Sequence, residues 1–550
     1  MKQEILKIHP KDNVLIALKD LARDETVQYK GNTYKLTENI PAKHKFTTDP
    51  LKIGDPVMMY GVLVGKAKEN IPAGARISVA NLIHAAGDYQ LSSHRKTEWH
   101  SPDITAWKQK NFMGYHRADG SVGTANYWLV VPLVFCENRN VEVLKEALLE
   151  ELGYARPKKY NHFVQQLLAS YKNGISPETI EFAGIDPSVE KEGGRPFKNV
   201  DGIKFLSHEG GCGGTRQDAR ALCGLLAGYI THPNVAGATV LSLGCQNAQV
   251  SILTEEIKKR SASFQKPLYI LEQQKIGNET DLIAAAVKKT FAGLVLADQC
   301  IRQPAPLSKL CIGLECGGSD GFSGISANPA IGYTSDLLVA LGGSVILSEF
   351  PELCGVEQEM SDRCADEATA SRFIDLMRMY NSRAQAVGSG FDMNPSPGNI
   401  RDGLITDAIK SAGAAKKGGS SPVTDVLDYP EKQKKPGLNL LCTPGNDVES
   451  TTAEVGSGAN IVLFTTGLGT PTGNPVAPVV KISSNTQLYN KMQDIIDVNA
   501  GLIIEGEETI EQCGARILDY VVKVASGEKT VSAVLHGQDD FIPWKRGVSL

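Results

Sequence analysis

Five times along this chain an apolar run ends in a cluster of Gly, Cys, amide and carboxylate residues. Ile203–Leu206 leads into His208-Glu209-Gly210-Gly211-Cys212-Gly213-Gly214, and Ala238–Leu243 into Gly244-Cys245-Gln246-Asn247. Leu310–Leu314 leads into Glu315-Cys316-Gly317-Gly318-Ser319-Asp320, Ser344–Leu347 into Ser348-Glu349-Phe350-Pro351-Glu352, and Ile461–Phe464 into Thr465-Thr466-Gly467-Leu468-Gly469. Short continuous apolar runs with polar ends fit strands covered on both faces, as in a parallel sheet. Helical patterns lie between them, at Asn140–Leu152, Gln217–Tyr229, Leu253–Arg260 and Asp281–Phe291. The alternation predicts an α/β architecture with a largely parallel sheet. Ligands bind such sheets beyond the carboxyl ends of the strands. The five clusters are therefore expected at one edge, with Glu315, Asp320 and Glu349 lining the pocket.

A chain of 550 residues exceeds one ordinary core, so several domains are expected. Residues 1–95 read as a small β domain: Val14–Leu21, Pro56–Leu63 and Ala75–Val79 are short apolar runs divided by turn signals such as Lys30-Gly31-Asn32 and Ile53-Gly54-Asp55. A polar linker is expected at 96–112, a central α/β domain at 113–395 and a C-terminal α/β domain at 396–550. The Pro/Gly-rich stretch Asn394–Asn399 and the segment Lys416–Ser421 mark the last boundary, with Lys416 and Lys417 read as solvated.

The formal charge of −5 gives no global attraction to nucleic acid or to an anionic membrane. No apolar stretch approaches the ~18 residues of a membrane span. The opening Met1–Val14 has no apolar core of a secretory signal, so a cytoplasmic protein is expected. The 11 Cys are odd in number and scattered, which favours reduced thiols. Cys212, Cys245 and Cys316 each sit at a strand tip beside Gly, and with His208 they make a soft metal set; the alternative is that they pack as small hydrophobes. The other eight, Cys136 and Cys223 among them, are expected in the core. His44 lies between two lysines, which favour its neutral, basic form; the alternative is a surface basic cluster. Gly210–Gly214 and Gly317–Gly324 could cradle an anion, but neither is a P-loop or a dinucleotide fingerprint, and no Gly-x-Ser-x-Gly elbow is present.

The chain resembles the altronate/galactarate dehydratase family from end to end. The resemblance rests on Asp12-Asn13-Val14, His44-Lys45, Tyr115–Asn126, Gly211-Cys212 and Gly244-Cys245-Gln246-Asn247. It is strongest over Gly313–Gly324 and continues in Asn394–Asn399 and Pro444-Gly445-Asn446-Asp447. The resemblance implies an N-terminal SAF-type domain of β-clip fold and a large α/β catalytic region in two parts. It implies dehydration of a hexonic or hexaric acid to a 2-keto-3-deoxy acid, with the pattern closer to altronate-type members. It implies divalent iron, or manganese, as cofactor. The expected partner is a small sugar acid, with no nucleic acid or membrane, and self-association is left open. Carried onto this sequence, the catalytic candidates are His44, His208, Glu315 and Glu349. The substrate-binding candidates are Lys45, Asn247, Gly317, Gly318, Ser319, Asp320, Asn446 and Asp447, and the metal candidates Cys212, Cys245 and Cys316. The chain departs from the family pattern in three places. Relatives often carry an acidic residue and a Cys around the segment where this chain has Ala408, Ile409 and Ala414; an Arg where it has Leu468; and Cys-His where it has Ala459-Asn460. Rival readings are a metal-dependent hydrolase or isomerase on the same scaffold, and a sugar-acid-binding protein without activity.

Overall fold

The structure is a computed structural model that describes residues 3–87, 89, 98–182 and 194–550. The N-terminal region is all β. Ile5–Leu6, Val14–Ala17 and Lys45–Thr47 form one antiparallel sheet; Thr26–Tyr29 and Asn32–Lys35 form a hairpin; Pro56–Met59, Val62–Ala67 and Leu82–Ile83 form a third unit. The hairpin turns at Lys30-Gly31, where both φ angles are positive, as a tight two-residue turn requires. Ile5, Leu15, Ala17, Leu21, Val27, Leu36, Ile40 and Phe46 close a small core of their own. Part of the expected linker lies outside the described residues. From residue 98 the chain runs to the strand Asn111–His116, anchored by Trp107 Nε1 donating to Asp519 at 2.9 Å.

The central region carries four parallel strands in the order Gly202–Phe205, Tyr127–Pro132, Val235–Ser242, Leu268–Glu272. The four expected helices are present as Asn138–Glu151, Arg216–Thr231, Val250–Arg260 and Glu279–Ala297. Two start where a side chain satisfies a free backbone N–H: Thr215 accepts from Asp218 and Asn278 from Asp281.

The second sheet has seven parallel strands, in the order Val423–Leu427, Gly437–Leu441, Ser344–Leu347, Cys311–Cys316, Ile461–Thr466, Val479–Ser483, Val498–Asn499. Its central strands are buried along their whole length, which is why they read as unbroken apolar runs. The boundary expected at 395 falls between strands of this one sheet. Ser396 there caps a short helix, Pro397–Arg401, instead of opening a linker. The five clusters accordingly divide, two on the central sheet and three on the second. After Cys311–Cys316 the sheet grows to one side, and the later strand Ile461–Thr466 returns to its other side. The strand order thus reverses between Cys311–Cys316 and Ile461–Thr466, and doubly wound sheets bind ligands in the crevice outside such a reversal.

Candidate active site

Three donors meet at this edge. The sulfur of Cys316 and carboxylate oxygens of Glu349 and Glu352 lie within 4.8 Å of one another, all buried, and could hold a metal ion. Cys316 ends its strand, and Glu349 follows Leu347 by two residues on the next one. Glu349 sits in the left-handed region at φ 63°, an unfavourable conformation for a residue with a Cβ. Its backbone N–H donates to Thr443 Oγ1 at 2.8 Å and that of Phe350 to the Thr443 carbonyl at 3.2 Å, which hold the turn from the neighbouring strand.

Two lysines serve the same carboxylates. Lys417 Nζ stands 2.7 Å from Glu349 Oε2, 2.9 Å from Cys316 Sγ and 4.0 Å from Glu352 Oε2, with 1% of its side chain exposed. Lys410 Nζ donates to Glu352 Oε1 at 2.5 Å and to Asn394 Oδ1 at 3.1 Å. Burial opposes the charge on each lysine, but the surrounding acids outweigh it and raise both. Burial would also raise Glu352; the two lysines prevail and hold it below the usual range. Glu349 is lifted to about 7, by burial first and then by repulsion from Glu352. Beneath lie Glu315 and Glu454, fully buried and without a lysine at hydrogen-bond distance. Ser348 donates to Glu315 Oε1 at 2.8 Å, and the backbone of Leu314 to Glu454 Oε1 at 3.1 Å. Burial pushes Glu315 far up and Glu454 to about 8. Oε2 of each, and Glu349 Oε1, have no hydrogen-bond partner.

The loop after Cys316 runs on from the cage and is buried except at Gly318. A Cβ on Gly317 would stand 1.9 Å from Asp447 Oδ2, so only glycine allows that approach. Asp447 is lifted to about 6, mainly by burial and then by Glu352. Asn446 caps its helix by accepting from the N–H groups of Val448 and Glu449. The Ser319 hydroxyl is buried and has no hydrogen-bond partner. Asp320 is a hub: Oδ1 accepts from Ser323 and Ser484, and Oδ2 from Asn485. Lys43 of the N-terminal domain completes it, 3.0 Å from Asp320 and 3.1 Å from Asp402. Lys45 Nζ donates to the Gly403 carbonyl at 2.6 Å and to that of Lys43 at 3.1 Å; full burial lowers it to about 7. The turn carrying His44 is thus seated on the 320 and 402–403 loops. His44 Nδ1 lies 3.2 Å from the Ala42 carbonyl, and burial is the main cause that lowers its pKa.

The expected set of three thiols is not brought together. Among the described residues, the metal-capable group contains Cys316 but neither Cys212 nor Cys245, which are exposed on the central sheet's loops. Cys212, His208 and Asn247 instead line a cavity of about 680 Å³ between the central region and the C-terminal segment Phe541–Ser549, with Glu449 on its far wall. His208 is committed to backbone: Nε2 pairs with the Pro132 carbonyl at 2.8 Å and Nδ1 accepts from Gly210 at 3.1 Å. Of the thiols expected in the core, Cys223, Cys311, Cys364, Cys442 and Cys513 are buried and Cys300 and Cys354 half-buried, but Cys136 is exposed just past its strand. Lys417, read as solvated, is buried at the centre of the site, whereas Lys416 is half-exposed beside Glu359.

Three family models match in order: the altronate/galactarate dehydratase SAF domain over residues 3–85, the D-galactarate dehydratase/altronate hydrolase second domain over 114–298, and the D-galactarate/altronate dehydratase C-terminal region over 307–549. Altronate dehydratases of Bacillus subtilis (strain 168) and Escherichia coli (strain K12) are 34% and 33% identical, each over the whole of both chains. The chain belongs to the altronate/galactarate dehydratase family. A galactarate dehydratase (L-threo-forming) of Escherichia coli (strain K12) is 30% identical over 95% of this chain and 93% of its own. The chain is thus a sugar-acid dehydratase, a hydro-lyase, with the SAF domain at its start and the α/β regions after it. Among the described residues no helix is long and apolar enough to cross a membrane.

The departures from the family pattern have different settings. Asn460 is structural here: it accepts from the Cys311 backbone at 3.1 Å, and its carbonyl takes the Thr124 hydroxyl at 2.9 Å. The Ala459 carbonyl lies 3.0 Å from His232 Nε2. Both sit at the strand end away from the crevice. Ala408 and Ala414 are packed in the buried helix Asp407–Ala414 that also carries Lys410. Leu468 faces the site: a Cβ on Gly318 would lie 3.5 Å from its own. Sequence reasoning leaves Glu352, Lys410, Lys417, Lys43 and Asp402 out of the site. Glu352 and Lys410 lie within segments that the motifs single out. Lys417 gives no signal, because a lysine in a short Gly-rich turn has no periodicity to betray burial.

Proposed function

We propose that this protein dehydrates D-altronate to 2-keto-3-deoxy-D-gluconate and water, using divalent iron, or manganese, held by Cys316, Glu349 and Glu352. The carrying observation is that this thiol–carboxylate cage stands at the crevice of a chain matched over its full length by altronate dehydratases. Thiolate and carboxylate suit a divalent transition metal, and the unpaired Glu349 Oε1 is an acceptor left for one. When bound, the metal supplies Lewis-acid stabilisation of the charge that builds on the substrate carboxylate as the C2 proton leaves.

The protein's own groups do the rest. His44 is the base: with Nδ1 turned to the Ala42 carbonyl, Nε2 keeps its lone pair, and burial keeps the ring neutral at physiological pH. Lys43 and Lys45 fix the turn that presents it. Asp447, lifted to about 6, holds its proton in mildly acid solution and delivers it to the departing C3 hydroxyl. Ser319 Oγ and Asn394 Nδ2, both buried without partners, receive substrate hydroxyls. His208 positions the Gly210 loop and takes no proton, since backbone occupies both ring nitrogens.

A screen of hexonic and hexaric acids with Fe²⁺ under anaerobic conditions, scored for 2-keto acid, tests this reading. D-Altronate is expected to turn over fastest. Faster turnover of galactarate with altronate at background would move the substrate and keep the reaction. No 2-keto acid from any of them would overturn the activity.

A further inference from the structure

Lys417 occupies the cage itself. Its ammonium touches Glu349 Oε2 at 2.7 Å and Cys316 Sγ at 2.9 Å, and stands 4.0 Å from Glu352 Oε2. These three residues are the ones that could take a metal. A transition metal bound to them would lie about 2.0–2.3 Å from each donor, inside the space the ammonium fills. Two cations cannot share that volume, and a buried ammonium beside a divalent ion is strongly repelled. Lys410 does not raise the same conflict, because it engages the opposite oxygen, Glu352 Oε1, and Asn394.

We propose that Lys417 and the metal are alternative occupants of the Cys316–Glu349–Glu352 cage, the lysine withdrawing as the metal enters and returning as it leaves. The inference rests on the metal assignment made above. Lysine is suited to such an exchange because its charge is compact and sits on a flexible four-carbon stem, so it can leave without moving the backbone. Glu315 is among the acids that act on Lys417, and its buried Oε2 has no hydrogen-bond partner, so it provides somewhere to go. The exchange keeps Glu349 from standing without a cation beside Glu352, whose own Lys410 stays in place, and an uncompensated charge in a buried site is strongly unfavourable. It also makes metal affinity a difference between two occupants, weaker than the cage alone would give.

The test is Mn²⁺ binding to the full chain, measured by calorimetry for the parent, Lys417→Met, Lys417→Gln and Glu349→Gln. Removing the competitor is expected to tighten Mn²⁺ at least tenfold, about 1.4 kcal/mol, and Glu349→Gln to weaken it at least tenfold. If Glu349→Gln weakens binding while neither Lys417 variant tightens it, the exchange is refuted and the cage stands. If Glu349→Gln leaves binding unchanged, the metal assignment itself falls. A crystal structure of the parent with Mn²⁺ decides independently of variant folding. The exchange requires the ion on Cys316, Glu349 and Glu352 with Lys417 Nζ beyond hydrogen-bond distance of Cys316 Sγ. An ion there with Lys417 still in contact overturns it.

Discussion

Replacing Glu454 by Gln isolates the energetics beneath the cage. Glu454 is fully buried, accepts one backbone N–H on Oε1, and has no partner for Oε2. Burial raises its pKa from 4.5 to about 8. Below pH 4.5 the folded and unfolded chains both carry the proton, and its contribution vanishes. Between pH 4.5 and about 8 the unfolded chain releases a proton the fold retains, so stability falls as pH rises; above about 8 the loss is complete. The full difference corresponds to roughly 5 kcal/mol. Because Glu349 shares the effect, only part of this, on the order of 2 kcal/mol, is expected for Glu454 alone. A glutamine keeps the Leu314 contact and cannot ionise. At pH 5 the variant should melt within about a degree of the parent; at pH 8 it should melt roughly 2–4 °C higher. Scanning calorimetry of both proteins across pH 5–8 makes the comparison. Parallel melting profiles, with no gain at the alkaline end, would refute the claim that this carboxyl is held protonated by burial.

Other substitutions probe the surroundings. Gly317→Ala should destabilise by about 1–3 kcal/mol, because its Cβ would meet Asp447 Oδ2 at 1.9 Å; a variant as stable as the parent in urea would show that the contact yields freely. Elemental analysis should find metal lost from Cys316→Ser but retained by Cys212→Ser and Cys245→Ser; the reverse pattern would return the site to the central sheet. The acid limb of the pH–rate profile should lie below the ordinary histidine range of about 6.5, following the lowered His44. Rate should fall as pH drops through that limb, and His44→Gln should lose both limb and most activity. A variant that keeps the parent's limb would remove His44 as the base.

Much of this architecture is legible in the sequence, for identifiable reasons. The strands Cys311–Cys316, Ser344–Leu347 and Ile461–Thr466 show themselves because burial on both faces favours apolar residues along them. Their tips give Glu315, Cys316, Glu349 and Asp320. The assignment of strands to sheets does not show: Cys212 and Cys316 have the same local pattern but belong to different sheets. Pairing is set by contacts remote in sequence, and an apolar run is compatible with either sheet. Lys43 is hidden for a related reason. Its partners Asp320 and Asp402 lie hundreds of residues away, and only docking of the β domain brings them together.

The dehydration leaves its mark on the product. Purified protein loaded with Fe²⁺ and given D-altronate in D₂O should yield, by NMR, 2-keto-3-deoxy-D-gluconate carrying deuterium at C3. Loss of the C2 proton and C3 hydroxyl leaves an enol that takes its new hydrogen from solvent. Altronate recovered unchanged, or a product that retains its C3 hydroxyl, would contradict the account.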